Sequence, residues 1–395
     1  VLFGIGARKI SDEPFLAGTL ARRLAPGTYR LEGPAGDDRL VALGFLLGGY
    51  RFDKFKAQPA ARPKLSIGKN VDRDELLREA DATYLARELI NRPANDLGPD
   101  EIAEAMTALA KEFGARTEIA GGQALEENFP MIFAVGKASP RRPLLVDLTW
   151  GDPSAPKVTL VGKGVVFDTG GLNIKPGGSM ALMKKDMGGA ANVLGLARMI
   201  MSAGLNVRLR VLVPTVENAI DGNAFRPGDI LKSRKGLTVE IGNTDAEGRL
   251  ILADALALAD EESPSVLVSM ATLTGAARVA LGPELPPFYC DDDAFATSLS
   301  AAAGQQSDPV WRMPFWKPYN AMLASKVADI NHISGGSFAG SVTAALFLDR
   351  FVEKADRFAH FDVFGWTPTA RPASPEGGEA QGIRALFHVL EAEFG

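Results

Sequence analysis

The sequence is poor in the residues that carry much of hydrolytic and metal chemistry. It holds one cysteine, Cys290, so no disulfide framework can form within the chain, and a reducing compartment suits it. Its three histidines, His332, His360 and His388, fall in the last quarter without metal-ligand spacing. A zinc site of the His-Glu-x-x-His kind is therefore excluded. No Gly-x-Ser-x-Gly elbow occurs to support Ser-His-Asp catalysis. No apolar run approaches the ~20 residues of a membrane helix. Val1-Leu2-Phe3-Gly4 lacks the charged-then-apolar-then-small order of a signal peptide, and an opening Val rather than Met leaves room for residues upstream. The net charge of −5 offers polyanions no general attraction, so nucleic acid is not expected as a partner. What remains is the expectation of a cytoplasmic globular protein that touches neither membrane nor nucleic acid.

At 395 residues the chain can bury a large core, and its length allows two or three domains. Residues 1–56 mix short apolar runs, such as 40–47, with turn signals and read as a small N-terminal α/β domain. Residues 57–71 read as a connector, where Pro59 and Pro63 fix φ and remove donors. Residues 72–395 read as one larger domain. There Leu76, Leu77, Ala80, Tyr84 and Leu85 fall at helical spacing, and a second helix is expected near 101–113. Runs at 144–148, 158–161, 207–213, 237–241 and 266–270 read as strands, with a late strand over 358–364. Stretches 181–201, 248–261, 342–354 and 382–394 read as helices. This alternation predicts an α/β fold, with a mixed, largely parallel central sheet flanked by helices.

The most informative stretch is Asn243-Thr244-Asp245-Ala246-Glu247-Gly248-Arg249-Leu250, set between an apolar run and a helical one. Charges packed so densely at such a junction are costly to fold around unless something neutralises them. A second charged cluster places Lys163, Asp168 and Lys175 around Gly170-Gly171, and Asp186 follows at the glycine pair 188–189. Glycines let backbone approach a ligand closely. Asp168, Asp186, Asp245 and Glu247 are oxygen donors of the kind hard divalent cations take, and four carboxylates would balance two such ions. Each piece also has a plain structural reading. Asp186 alone is a helix cap or surface acid, Lys163 a solvated lysine, and the Gly170-Gly171 pair a turn. Asp245 and Glu247 alone decorate a helix N-terminus, where the macrodipole favours acids. The residues taken by themselves leave both readings open.

Together, residues 161–176, 180–191, 243–250, 271–276, 279–282 and 340–347 closely resemble the leucyl aminopeptidase (cytosol aminopeptidase) family, in the same order along the chain. The resemblance covers roughly residues 40–395, and Asn-Thr-Asp-Ala-Glu-Gly-Arg-Leu is its most specific signature. It implies a two-metal exopeptidase over residues 72–395. One metal would be held by Asp168, Asp245 and Glu247, the other by Lys163, Asp168, Asp186 and Glu247. Lys163 would ligate as the neutral amine, which adjacent dications favour. The implied reaction is attack of a metal-activated water on the first peptide bond, with the substrate's free α-amine on the Lys163 side. Lys175 would stabilise the oxyanion, and Arg249 would hold a bicarbonate that shuttles the proton. Leu273 would offer backbone contacts, while Met183, Thr272 and Gly275 would line the pocket for the terminal side chain. Zn or Mn is implied as the metal, with Mg or Co as further options, and the assembly as a homohexamer. Substrates would be peptides with a free N-terminus.

The sequence departs from the family in three places. Only about 55 residues precede the connector, so the N-terminal domain is expected to be shortened. The last strand reads His360-Phe361-Asp362-Val363-Phe364-Gly365-Trp366, where relatives often have a small residue at the fifth position. Phe364 then either reshapes the pocket or points into the core. His332, in a loop that also departs, either lines the cleft or is structural. Two rivals stand beside the aminopeptidase reading. One is a narrow dipeptidase on the same scaffold, separable by comparing dipeptides with longer peptides. The other is a non-catalytic member of the fold, a reading that goes with lost ligands, whereas all seven implied metal and catalytic side chains are present.

Overall fold

Apolar strand runs separated by helices need cover on both faces, and they form a nine-stranded mixed sheet between two helical layers. The structure, a computed structural model, describes residues 13–32, 37–57 and 61–395. The strands are β1 (Arg116–Gly121), β2 (Leu144–Trp150), β3 (Lys157–Gly162), β4 (Gly164–Asp168), β5 (Arg208–Asn218), β6 (Val266–Ala271), β7 (Pro287–Cys290), β8 (Trp311–Met313) and β9 (Phe358–Asp362). Their spatial order is β8-β7-β9-β6-β3-β5-β2-β1, and β4 also pairs with β5. The centre, β9-β6-β3-β5, is parallel. The β1–β2, β2–β5 and β7–β9 pairings are antiparallel.

The principal helices are α1 (Asp38–Gly48), α2 (Arg73–Asn91), α3 (Pro99–Phe113), α4 (Gly188–Ala203), α5 (Gly248–Asp260), α6 (Asp293–Gln305), α7 (Gly340–Asp349) and α8 (Ile383–Phe394). Side chains alternate across the sheet. Leu144, Val146 and Leu148 join the core under α2, α3, α4, α6 and α8, while Leu145 joins the core under α5 and α7.

Register places the site. β3 and β4 both follow β5 in one parallel alignment, with Val161 opposite Leu212 and Gly164 opposite Thr215. The residue between them is Lys163. Its N–H donates to Met270 O at 3.0 Å, and its carbonyl accepts Ala190 N–H at 2.8 Å. Strand break, β6 and the start of α4 are thereby tied at the carboxyl ends of the parallel strands, where α/β sheets bind ligands.

Several sequence expectations change. The helix expected over 181–201 begins only at Gly188, after a tight 3₁₀ turn over Met183–Met187. A Cβ on Gly189 would lie 2.1 Å from Met270 O, so the helix start rests directly on β6 and the preceding chain turns away into the site. The strand expected over 237–241 is Thr238–Glu240, in a separate three-stranded sheet with Ile230–Lys232 and Ile330–Asn331. Only Val239 of those three residues is buried, so this strand lies at the surface. The helix expected over 342–354 is α7, which starts earlier and ends at Asp349. The run 40–47 is no mixture of short pieces but α1, whose first turn is capped by Asp37 accepting Arg39 N–H at 2.9 Å and Leu40 N–H at 3.1 Å. Within the expected connector, Pro63–Ser66 is a strand pairing parallel with Gly27–Arg30. Pro59, on which part of that reading rested, and the opening residues Val1 to Gly4 lie outside the described residues.

Candidate metal centre and active site

Two loops and one strand break bring the charged residues of the sequence together. Asp168 ends β4, and its Oδ1 accepts Gly170 N–H at 2.9 Å and the Asn218 side-chain N–H at 2.8 Å. Its Oδ2 faces Lys175 Nζ at 2.7 Å, which also lies 2.5 Å from Asp245 Oδ1. On the other side Lys163 Nζ lies 2.7 Å from Asp186 Oδ2 and 2.9 Å from Glu247 Oε1, and donates to Thr272 O at 2.9 Å. Asp168, Asp245 and Glu247 each present a carboxylate oxygen within 4.8 Å of the other two. Gly248 leaves room for Lys163: a Cβ there would lie 2.5 Å from Lys163 Cε and 2.7 Å from Nζ and would displace the lysine from its carboxylates.

Four carboxylates share this space with two ammonium groups, and the imbalance shows in their protonation. Burial, reinforced by Asp168, pushes the Glu247 carboxyl up to about 8. Burial and Asp186 push Asp168 up to about 6. Burial works against the charge on Lys163, but Asp186, Glu247 and Asp168 outweigh it and hold the ammonium above its ordinary range. Asp186 Oδ2, Asp245 Oδ1 and Glu247 Oε1 are buried and meet no partner other than the two lysine ammonium groups. Carboxylate oxygens whose only partners are ammonium groups, with the Lys163 amine that a bound dication would leave deprotonated, form a donor set that fits divalent cations.

Arg249 is placed by the first turn of α5 and a partner loop. Its Nη1 donates to His332 O at 2.8 Å, its Nε is buried without a partner, and burial draws its pKa down to about 10. His332 itself is structural, which settles the alternative left by the sequence. Burial presses its pKa down to about 3, so the ring is neutral. With the proton on Nε2, the ring donates to Asn243 O at 2.9 Å and accepts Gly242 N–H at Nδ1 at 3.2 Å, while Glu240 O, 3.1 Å from Nδ1, takes the main-chain N–H of His332 at 3.2 Å. The histidine thus anchors the strand end that enters the charged octapeptide.

Three positioning residues escape the sequence reading. Thr244 Oγ1 donates to Gly170 O at 2.7 Å and accepts Asn173 N–H at 2.8 Å, clamping the two charged loops together. Asn218 joins them again through Asp168 and, at 3.1 Å, through Thr244 O. Asp362, at the end of β9, accepts Leu273 and Thr274 N–H at 3.2 Å each and Thr274 Oγ1–H at 2.6 Å. The signal for Asp362 was available, since an acid ending an apolar strand needs donors when buried. Thr272 contributes from the same loop, with Oγ1 2.8 Å from both the main-chain O and Oδ1 of Asp186.

A cavity of about 450 Å³ opens over these groups, lined among others by Met183, Thr272, Leu273, Gly275 and Phe364. Phe364 therefore faces the cavity and not the core. A larger groove of about 660 Å³ between α6 and α8 carries none of the charged cluster.

Comparison with known proteins agrees with this geometry. The model of the cytosol aminopeptidase family, catalytic domain, matches residues 84–387. The chain belongs to the cytosol aminopeptidase family. A probable cytosol aminopeptidase of Syntrophotalea carbinolica is 38% identical, over 98% of this chain and 81% of that protein. The cytosol aminopeptidase of Coxiella burnetii superposes with a TM-score of 0.94 at 48% identity, covering 98% of this chain and 85% of that one. The bottromycin maturation enzyme BotP in complex with Mn superposes with a TM-score of 0.90 at 35% identity, over 98% and 88% of the two chains. This member of the cytosol aminopeptidase family is accordingly a metal-dependent hydrolase that releases N-terminal residues from peptides. Its fold is the mixed α/β fold of the family. Among the described residues, no helix is long and apolar enough to cross a membrane.

Proposed function

We propose that Lys163, Asp168, Asp186, Asp245 and Glu247 would hold two divalent ions, Zn or Mn. The observation that carries this reading is the convergence of four carboxylates and Lys163 in one cluster, whose buried oxygens have only lysine ammonium groups as partners. The Mn in BotP supports manganese as one of the ions to test here. Bound there, the ions would supply an activated water and Lewis-acid polarisation of the scissile carbonyl.

The rest belongs to this chain's own side chains. Lys175 is a fixed positive charge beside Asp168 and Asp245, and it stabilises negative charge as it develops on the carbonyl oxygen. Arg249, held by His332 O with Nε unused, offers a planar fork to a bicarbonate that carries the proton. With both histidines of the sheet region neutral and engaged elsewhere, this anion would do general-base work. Thr272 orients Asp186, and Leu273 presents backbone to the peptide. Met183, Thr272 and Gly275 line the pocket for the terminal side chain.

The same proposal includes a homohexameric assembly, a cytoplasmic location suited to the single cysteine, and a division into an N-terminal part (1–56), a connector (57–71) and a catalytic domain (72–395). The test is Glu247→Gln. Loss of turnover together with loss of bound metal, in a variant with an unchanged circular-dichroism spectrum, is expected. Near-normal activity and metal content would remove Glu247 from the site.

A further inference from the structure

The cavity carries two cationic side chains that neither the metal cluster nor the reaction uses. Lys185 and Arg278 approach the same ring: Lys185 Nζ lies 4.6 Å and the Arg278 guanidinium carbon 5.8 Å from the centroid of Phe364. Both line the cavity beside Met183 and Gly275. Among the described residues, no carboxylate lies within ion-pair distance of Lys185, although the side chain is buried. Its neighbour Asp186 is engaged with Lys163 and Thr272. Arg278 donates through Nη2 to the main-chain oxygen of Asp362, while its Nε and Nη1 are buried donors without a partner. The Asp362 carboxylate stands 3.7 Å away and already accepts from Leu273 and Thr274.

An aromatic face is a weaker partner for a buried cation than a carboxylate, and unused buried donors are costly. A ligand that brings its own carboxylate between them relieves both. We propose that this pocket selects peptides whose N-terminal residue is glutamate or aspartate, with Lys185 and Arg278 as the residues that read its charge. Phe364, the ring that both cations approach, lines the same cavity and narrows the space against bulky apolar side chains. The inference rests on the reading above that the cavity takes the terminal residue beside two metal ions. Two bound dications would balance the four carboxylates, so the cluster would not repel an acidic side chain.

The test uses the full chain loaded with Mn and the matched dipeptides Glu-Ala, Gln-Ala and Leu-Ala. Glutamate and glutamine differ in charge at nearly equal size. The expected result is a kcat/KM for Glu-Ala at least about tenfold above that for Gln-Ala, the size of effect one charged hydrogen bond supplies. Lys185→Met and Arg278→Met should each bring that ratio toward one, and Lys185→Arg should restore most of it. Cleavage of Gln-Ala or Leu-Ala as fast as Glu-Ala by the unaltered protein overturns the proposal, even if a variant does not fold. Equal losses on Glu-Ala and Gln-Ala in both methionine variants overturn it too, because they mark a purely structural contribution. Failure to cleave any of the three peptides, or longer ones, would count instead against the placement of the substrate in this cavity.

Discussion

At the scale of single residues, the site is defined by which polar atoms are already engaged. Asp168 has one oxygen tied to Gly170 and Asn218, while the other faces Lys175. Lys175 faces carboxylates, but its partner in the reaction is charge that exists only in the transition state. Lys175→Ala should therefore lower kcat by about 10²–10³-fold with a much smaller change in KM, as removal of an oxyanion donor does. Steady-state kinetics on a good dipeptide checks this, and a change confined to KM would assign Lys175 to ground-state binding. The histidines give a pH dependence. Burial holds His332 down to about 3 and His360 down to about 4, against about 6.5 for a free histidine. The depressed values mean that the stability from burying neutral rings is complete above pH ~6.5 and is lost as pH falls toward the folded values. Urea unfolding from pH 7 to 4 should show that decline, and His332→Asn should flatten it. An unchanged slope in the variant would mean that His332 is not buried neutral.

At the scale of elements, the close approach of α4 to β6 does the positioning. Asp186 and Lys185 lie in the turn before α4, and the glycine pair lets that helix start against the sheet. Gly189→Ala places a methyl where Met270 O stands, so it should cost about 1–3 kcal/mol and displace Asp186 as the helix backs away. Melting temperature and metal content should fall together. A stable variant with full metal content would show that the helix start has slack. The sequence reading was weakest at this point, because the apolar spacing of 181–201 is continuous while the backbone is not. A 3₁₀ turn is set by what the chain must reach, and local periodicity does not encode that. The loop 243–250 was read more faithfully, since α5 begins at the expected Gly248 and the charges sit in its approach.

At the scale of the whole molecule, the chain is closed by contacts far apart in sequence. Arg87 of α2 donates to Leu47 O at 2.7 Å, to Ala373 O at 2.8 Å and to Glu379 at 2.9 Å, fastening α1 and a late loop to the catalytic layers. Replacing it by Met leaves Glu379 buried and unpaired, which should cost about 3–5 kcal/mol. Limited proteolysis should then cut the chain near residues 30–60 sooner than in the unaltered protein; an equal rate would show that the fastening lies elsewhere. Strand–helix alternation and the two charged clusters were enough to expect the mixed α/β sheet and the family, because periodicity and a specific motif are properties of neighbouring residues. Which neighbours these residues meet was not in the sequence. Phe364 facing the cavity, Asp362 and Thr244 as clamps, and His332 as a buried anchor all depend on register between strands up to a hundred residues apart. So does the convergence of Lys185 and Arg278 on one ring, because a pocket is made of side chains that only the packed sheet brings within a few ångströms of each other.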